Sequence, residues 1–157
     1  HAGGLLPFFD RCNESTVFQA ADGRLCLNSR AMTAKYRVIA WSSDRGKTWT
    51  QPQVDTSLPC PVCQATTLRL PASDGTSRVL FANPASRTAR ERMTVRLSTD
   101  DGKTWPASRV VEPGRGGYSD LAALPDGTIL LLYETGEKRY AERLALARFN
   151  LQWLTGK

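Results

Sequence analysis

The sequence predicts an all-β protein built from consecutive units of about four strands each. An eight-residue pattern, S-x-D-x-G-K-T-W, occurs at residues 42–49 and again 56 residues later, at 98–105. Internal repeats of this kind indicate a repeated architecture. Strand-forming runs separated by turn signals occupy most of the remaining chain, and no helical periodicity persists for three turns.

Each copy of the pattern predicts a tight turn at the tip of a β-hairpin. In the first copy, Asp44 can accept hydrogen bonds from nearby backbone amides, and Gly46 can adopt a positive φ. The Ser and Thr hydroxyls can cap the same turn, and Trp49 can pack its ring over the hairpin. Such a self-stabilised tip indicates scaffold, so function has to be sought in other residues.

Strand-like runs precede and follow the two copies of the pattern. They lie at residues 25–30, 36–41, 66–70, 78–82, 93–97, 121–124, 128–133 and 144–149. Asp-Gly turn signals lie at 21–23, 73–75 and 125–127, and residues 138–145 are ambiguous. About three units of four strands are typical of β-propeller blades, and propellers close with about four to eight blades. We therefore expect part of a larger propeller.

Charge and cysteine content argue against several classes of function. The net charge of +6 is spread over the chain without a run of five basic residues, which favours a solvated basic surface over a nucleic-acid site. No apolar run approaches the ~18 residues of a membrane helix. Cys60 and Cys63 form a single C-x-x-C, and His1 is the one histidine, so neither a metal nor a cofactor is predicted. The cysteines are expected as small buried apolar residues, with a Cys12–Cys26 disulfide as the alternative.

Three local features carry groups suited to chemistry. Glu14 and Arg30 lie near the ends of consecutive strands joined by the turn at 21–23. Residues 83–96 form an Arg-dense loop that enters a strand and contains Arg90, and Tyr118 follows two glycines, with Glu134 one strand later. Taken singly, these residues also suit ordinary roles: a rim tyrosine, a surface ion pair, a solvated arginine and an edge-strand charge.

Taken in order, these motifs resemble the exo-α-sialidases of glycoside hydrolase family 33. The sequence reads E…N-x-R, then N-P…R-x-x-x-T-V-R-x-S-x-D-D-G-K-T-W, then G-Y-S-D-L-A-x-L-P-D-G-T-I-x-x-L-Y-E, and the likeness extends from about residue 11 to 154. The repeated pattern resembles the Asp box of those enzymes. The resemblance implies a six-bladed propeller of which residues 1–157 form the C-terminal half, with an N-terminal half missing. It also implies sialylated glycans or glycolipids as substrate, and an extracellular, periplasmic or lysosomal location.

The resemblance implies a role for each of five residues. Tyr118 falls on the nucleophile, and Glu14 on the glutamate that accepts its proton. Arg30 and Arg90 fall on the second and third arginines of a triad that binds the substrate carboxylate, and Glu134 on the carboxylate that orients the first arginine. Arg87 and Arg92 flank Arg90, whose assignment depends on its distance to the following strand. A neutral tyrosine suits this reaction because the anomeric carbon of sialic acid carries a carboxylate that repels an anionic nucleophile.

Two parts of the family's machinery have no counterpart in the sequence. No Arg-Ile-Pro motif supplies the first arginine, and no aspartate occupies the position of the general acid. The chain alone is therefore predicted to be inactive, although the resemblance identifies a retaining sialidase. Two alternatives remain: a trans-sialidase that uses the same residues, and a non-catalytic Asp-box propeller that serves as a binding module.

Overall fold

A computed structural model of the protein describes residues 3–71 and 74–156, and within them the fold is nearly all β. Ten strands precede one short helix. They are β1 Asn13–Gln19, β2 Leu25–Arg30, β3 Tyr36–Ser42, β4 Gln53–Pro59, β5 Thr66–Leu70, β6 Arg78–Pro84, β7 Glu91–Ser98, β8 Ala107–Ala123, β9 Ile129–Gly136, β10 Arg143–Phe149 and α1 Leu151–Thr155. The all-β prediction is confirmed.

The strands form two antiparallel sheets that contain the repeated units. The first sheet has the order β1-β2-β3-β4, and the second has the order β10-β9-β8-β7-β6-β5. Strand β8 is 17 residues long; its first half pairs with β7 and its second half with β9. The second unit therefore runs directly into the third, and within the described residues the third unit has three strands followed by α1.

Most strands lie where the sequence places them. β2 and β5 match the predicted runs at both ends, and the ambiguous residues 138–145 form a turn that enters β10. β4 and the first half of β8 were not predicted, because both carry mostly polar, outward-facing residues. Ser73, in the predicted turn at 73–75, lies outside the described residues.

The two hairpin tips have the predicted geometry. Asp44 accepts hydrogen bonds from the Thr48 nitrogen at 2.9 Å and from the Thr48 hydroxyl at 2.6 Å, and Asp100 makes the same two bonds with Thr104 at 2.9 and 2.6 Å. Hydrogen bonds from Thr48 and its neighbours lower the pKa of Asp44 to about 2. Gly46 adopts a φ of 82°, as the turn requires.

The main core lies between β6, β7 and β9 in the second sheet. Its fully buried members include Leu80, Val95 and Leu131. A smaller cluster of Phe18, Cys26 and Val79 joins the first sheet to the second. This cluster therefore packs the first unit against the second.

All four cysteines lie within the described residues, and none forms a disulfide. Cys26, Cys60 and Cys63 are buried, as expected for small apolar residues, and Cys12 is half-buried. The Cys12–Cys26 disulfide offered as the alternative is not formed. In residues 3–71 and 74–156, no helix has the length and apolar character needed to cross a membrane.

Candidate active site

The Tyr118 hydroxyl donates a hydrogen bond to the carboxylate of Glu14, which lies 104 residues earlier in the chain. Tyr118 lies on β8 within the register shift between Gly116 and Ser119, where the pairing with β9 is interrupted. This irregularity is the kind of strand distortion that re-aims a side chain. The tyrosine remains 39% exposed, so its oxygen can be reached from solvent.

Glu14 is held between the phenol and a guanidinium. Its second carboxylate oxygen lies 2.6 Å from Nη1 of Arg30, and Nε of Arg30 donates to Oδ1 of Asn13 at 2.8 Å. Glu14 has a φ of 43°, a left-handed conformation that a non-glycine residue seldom adopts, and it lies in a register shift of β1. Strained backbone of this kind is concentrated at functional sites.

Arg90 is the arginine of its loop that contacts Tyr118. Its guanidinium carbon lies 5.5 Å from the ring centroid of Tyr118 and 4.5 Å from that of Tyr140. Arg90 also donates from Nη2 to the carbonyl oxygen of Val62 at 3.0 Å. Arg87 instead stacks over Tyr36, with 4.8 Å between its guanidinium carbon and the ring centroid.

Glu134 binds the backbone beside the tyrosine. Its Oε2 accepts a hydrogen bond from the main-chain nitrogen of Tyr118 at 2.8 Å. All five residues predicted for the site therefore gather at one place, although their roles remain predictions.

Gln64 completes the site and was assigned no role from the sequence. Its side-chain amide donates to the Ser119 carbonyl and accepts from the Ser119 nitrogen, each at 3.0 Å. Gln64 and Tyr118 line a groove of about 290 Å³. The signal that could have found this glutamine is its place in P-V-C-Q-A, one of the motifs that carry the resemblance.

The surroundings of Tyr118 favour the neutral form of its phenol. The hydrogen bond to Glu14, together with burial and the negative charge of Glu14, raises the pKa of Tyr118 above its usual value, while Arg90 and Arg30 act in the opposite direction. The phenol is therefore protonated near neutral pH, and its proton lies in the hydrogen bond to Glu14. Chemically, this arrangement suits a nucleophile that gives up its proton as it attacks.

The sequence matches a known family and curated relatives. The BNR repeat-like domain matches residues 2–131. A sialidase of Micromonospora viridifaciens is 43% identical over 92% of this chain, which covers 22% of that protein. An exo-alpha-sialidase of Aspergillus fumigatus is 35% identical over 90% of this chain, which covers 37% of that protein. The chain thus spans between a fifth and two-fifths of the length of these two relatives.

The fold matches a solved sialidase structure. Hadza microbial sialidase Hz136 superposes with a TM-score of 0.75 and 29% identity, covering 91% of this chain and 28% of that one. The repeated hairpin tips, the successive antiparallel units and the match over residues 2–131 point to one family. The chain belongs to the BNR repeat-like domain family, and the proteins similar to it in sequence and fold include sialidases.

Proposed function

We propose that the chain is the C-terminal half of the catalytic propeller of a retaining exo-α-sialidase, which releases terminal sialic acid from glycoconjugates. The observation that carries the proposal is the hydrogen bond from Tyr118 to Glu14, with Arg30 on the other carboxylate oxygen. A tyrosine, a base and a fixed cation are the groups needed to attack a carbon that bears a carboxylate.

In this mechanism Tyr118 is the nucleophile and Glu14 the base. The Tyr118 oxygen bonds to the anomeric carbon, the glycosidic C–O bond breaks, and the phenolic proton passes to Glu14. An acid from the other half of the propeller protonates the departing oxygen. Water then attacks the anomeric carbon and gives a proton to that acid, the bond to the Tyr118 oxygen breaks, and the proton returns from Glu14 to the phenol. Because the resting phenol is neutral, it approaches the anionic substrate without charge repulsion.

Arg30 and Arg90 would hold the substrate carboxylate. Guanidinium groups bind carboxylates through paired, charge-assisted hydrogen bonds. Glu134 would orient the first arginine of the triad: its Oε2 accepts the hydrogen bond from Tyr118, and within residues 3–71 and 74–156 no hydrogen bond engages its Oε1. This first arginine and the general acid would both come from the missing N-terminal half.

Apolar side chains exposed on the outermost strands support a missing half. Leu144 and Leu146 of β10 are 67% and 57% exposed, and Val17 of β1 is 54% exposed. Further blades packed against these two strands would bury such residues. The chain alone is expected to have no sialidase activity.

A fluorogenic sialoside assay on the full-length protein tests the proposal. Tyr118→Phe should abolish turnover, whereas Tyr36→Phe should leave it intact, because Tyr36 stacks with Arg87 and, within the described residues, its hydroxyl makes no hydrogen bond to Glu14. Unchanged activity in Tyr118→Phe would exclude Tyr118 as the nucleophile, whereas no activity in the parent would support a non-catalytic binding module. Product analysis with lactose as acceptor would show whether the enzyme transfers sialic acid or hydrolyses the sialoside.

A further inference from the structure

A second arginine of the first sheet lies beneath the site, and the proposed mechanism does not use it. Arg37, on β3, is 0% exposed. No carboxylate lies within ion-pair distance of its guanidinium in the described part of the chain. A buried charge without a counter-ion costs several kcal/mol, and a well-packed apolar residue in its place is often neutral or stabilising. Its presence therefore needs a reason other than packing.

The guanidinium of Arg37 is bound almost entirely by backbone oxygens and amide groups. Nε donates to Oδ1 of Asn28 at 2.6 Å, and Nη2 donates to the Asn28 carbonyl at 3.1 Å. Nη1 donates to the carbonyl of Cys63 at 2.8 Å and lies 3.8 Å from Sγ of Cys60. A longer hydrogen bond of 3.4 Å joins Nη2 to the carbonyl of Glu14.

Two of these contacts lead to the carboxylate that receives the tyrosine proton. The Glu14 carbonyl is fixed directly, at a residue whose φ of 43° needs support from its surroundings. Asn28 lies two residues before Arg30 on β2, so fixing its carbonyl and side chain also fixes the strand end that carries Arg30.

The third contact leads to the loop of residues 60–65, which reaches the other two site residues. The carbonyl next to Cys63, that of Val62, accepts the hydrogen bond from Arg90. On the other side, Gln64 binds both backbone groups of Ser119, the neighbour of Tyr118.

The conformation of this loop is itself strained. Val62 has a φ of 60°, which is a genuine outlier for a β-branched residue. Such a residue stays left-handed when contacts around it determine the backbone. The bond from Arg37 to the Cys63 carbonyl is one of those contacts, and this backbone conformation directs the Val62 carbonyl to Arg90.

We infer that Arg37 is a positioning residue that fixes Glu14, Arg30, Arg90 and Tyr118 relative to one another from beneath the site. It touches no substrate and acts through backbone carbonyls of two segments distant in sequence. Its catalytic meaning rests on the proposed function, whereas its effect on the geometry of Tyr118 and Glu14 does not. The C-x-x-C motif thereby gains a role: it shapes a loop that presents carbonyl groups to two arginines.

The test compares Arg37→Lys with a matched control in the full-length protein. Lysine keeps the charge but cannot reproduce the forked contacts to Asn28, Cys63 and Glu14. A displacement of about 1 Å can cost about 10²-fold in rate, so Arg37→Lys should lose about that factor in kcat/KM. Arg96→Lys is the control: Arg96 is also buried and donates to Asn83 at 3.1 Å, but it contacts none of the site residues.

A substrate-free measurement separates this inference from the proposed function. Absorbance titration of each variant against its own Tyr118→Phe counterpart reports the Tyr118 phenol alone. Arg37→Lys should move the phenol pKa towards its usual value, because Glu14 is no longer held against the hydroxyl, and Arg96→Lys should leave it in place. If the parent hydrolyses no sialoside, the proposed function fails and this titration still decides the inference.

The milder variant Asn28→Ala covers the case in which Arg37→Lys does not fold. It removes the Oδ1 acceptor while leaving the arginine in place. The same displacement of the phenol pKa is expected, to a smaller extent. A folded Arg37→Lys or Asn28→Ala with the parent's phenol pKa would overturn the inference.

Discussion

The carboxylate of Glu134 and the main-chain nitrogen of Tyr118 are joined by a hydrogen bond of 2.8 Å. The bond crosses the register shift between β8 and β9, where regular pairing is interrupted. Gly117 occupies the point of closest approach. A Cβ added there would lie 2.2 Å from Oε2 of Glu134 and 2.9 Å from Cδ2 of Tyr140. The absence of a side chain at residue 117 is therefore a condition for this hydrogen bond.

Gly117→Ala is expected to displace Glu134 from Tyr118. Overpacking of this kind destabilises a protein by about 1–3 kcal/mol, and the loss should appear in urea unfolding. The sialidase activity of the full-length protein should also fall, even under conditions in which the Gly117→Ala variant remains folded. Gly116→Ala is the matched control, because its added Cβ would meet Met93 at an ordinary 3.4 Å. Equal effects of the two substitutions would contradict a specific role for Gly117.

Glu14→Gln should lower the pKa of Tyr118 towards its usual value. The hydrogen bond to Glu14 is the largest cause of the raised pKa, and the negative charge acts in the same direction. Absorbance titration of the phenol measures the shift. Sialidase activity should also be lost, since glutamine cannot accept the proton. A phenol that titrates as in the parent would show that the contact does not form in solution.

The same pKa shift predicts how stability depends on pH. The folded pKa of Tyr118 lies above the unfolded value of about 10. Folding therefore favours the protonated phenol, and this contribution is complete below about pH 10 and lost as pH rises through the folded pKa. Urea unfolding at pH 8 and at high pH should show a steeper loss of stability in the parent than in Tyr118→Phe. If the free energy of unfolding fell equally with pH in the parent and in Tyr118→Phe, the pKa of Tyr118 would not be raised by folding.

Asp101 joins the second hairpin tip to the first unit through a hydrogen bond. Its Oδ1 accepts hydrogen bonds from the Ala21 nitrogen at 3.1 Å and from the Ser77 hydroxyl, and it lies 3.5 Å from Nη1 of Arg69. Asp101→Ala should cost about 1–2 kcal/mol in the free energy of unfolding. Lys103→Ala, in the same turn, provides a control. The measurement is urea unfolding, and an Asp101→Ala midpoint equal to that of the parent would show that this contact does not hold the units together.

Thiol labelling should distinguish Cys12 from the other three cysteines. Burial raises the pKa of Cys26 and of Cys63 to about 12, so neither forms the reactive thiolate near neutral pH. Cys60 is equally inaccessible at 1% exposure. Iodoacetamide at pH 8 should modify half-buried Cys12 first and the other three only on unfolding. Mass spectrometry of the labelled peptides reads the order, and early labelling of Cys63 would contradict a closed loop at 60–65.

The sequence predicts local elements well where apolar alternation and turn chemistry coincide. β2 and β5 end where predicted, and the hairpin tips form as their Asp, Gly and Thr residues require. β4 was missed because six of its seven residues are not buried. The approach of Glu14 to Tyr118 spans 104 residues, so local pattern alone could not give it, and only the family resemblance pointed there. The burial of Arg37 was not predicted, because an arginine in an alternating strand suggests a solvated side chain.

Strand β8 has a consequence for any attempt to divide the protein. Because its 17 residues run without interruption from the second unit into the third, no linker separates the hairpin-tip unit from the segment that carries Tyr118. A cut between residues 107 and 123 would sever a shared strand and leave unpaired edges on both fragments. Split-reporter and permutation designs should instead open the exposed turn at Asp126 and Gly127, where ends can separate without breaking a ladder.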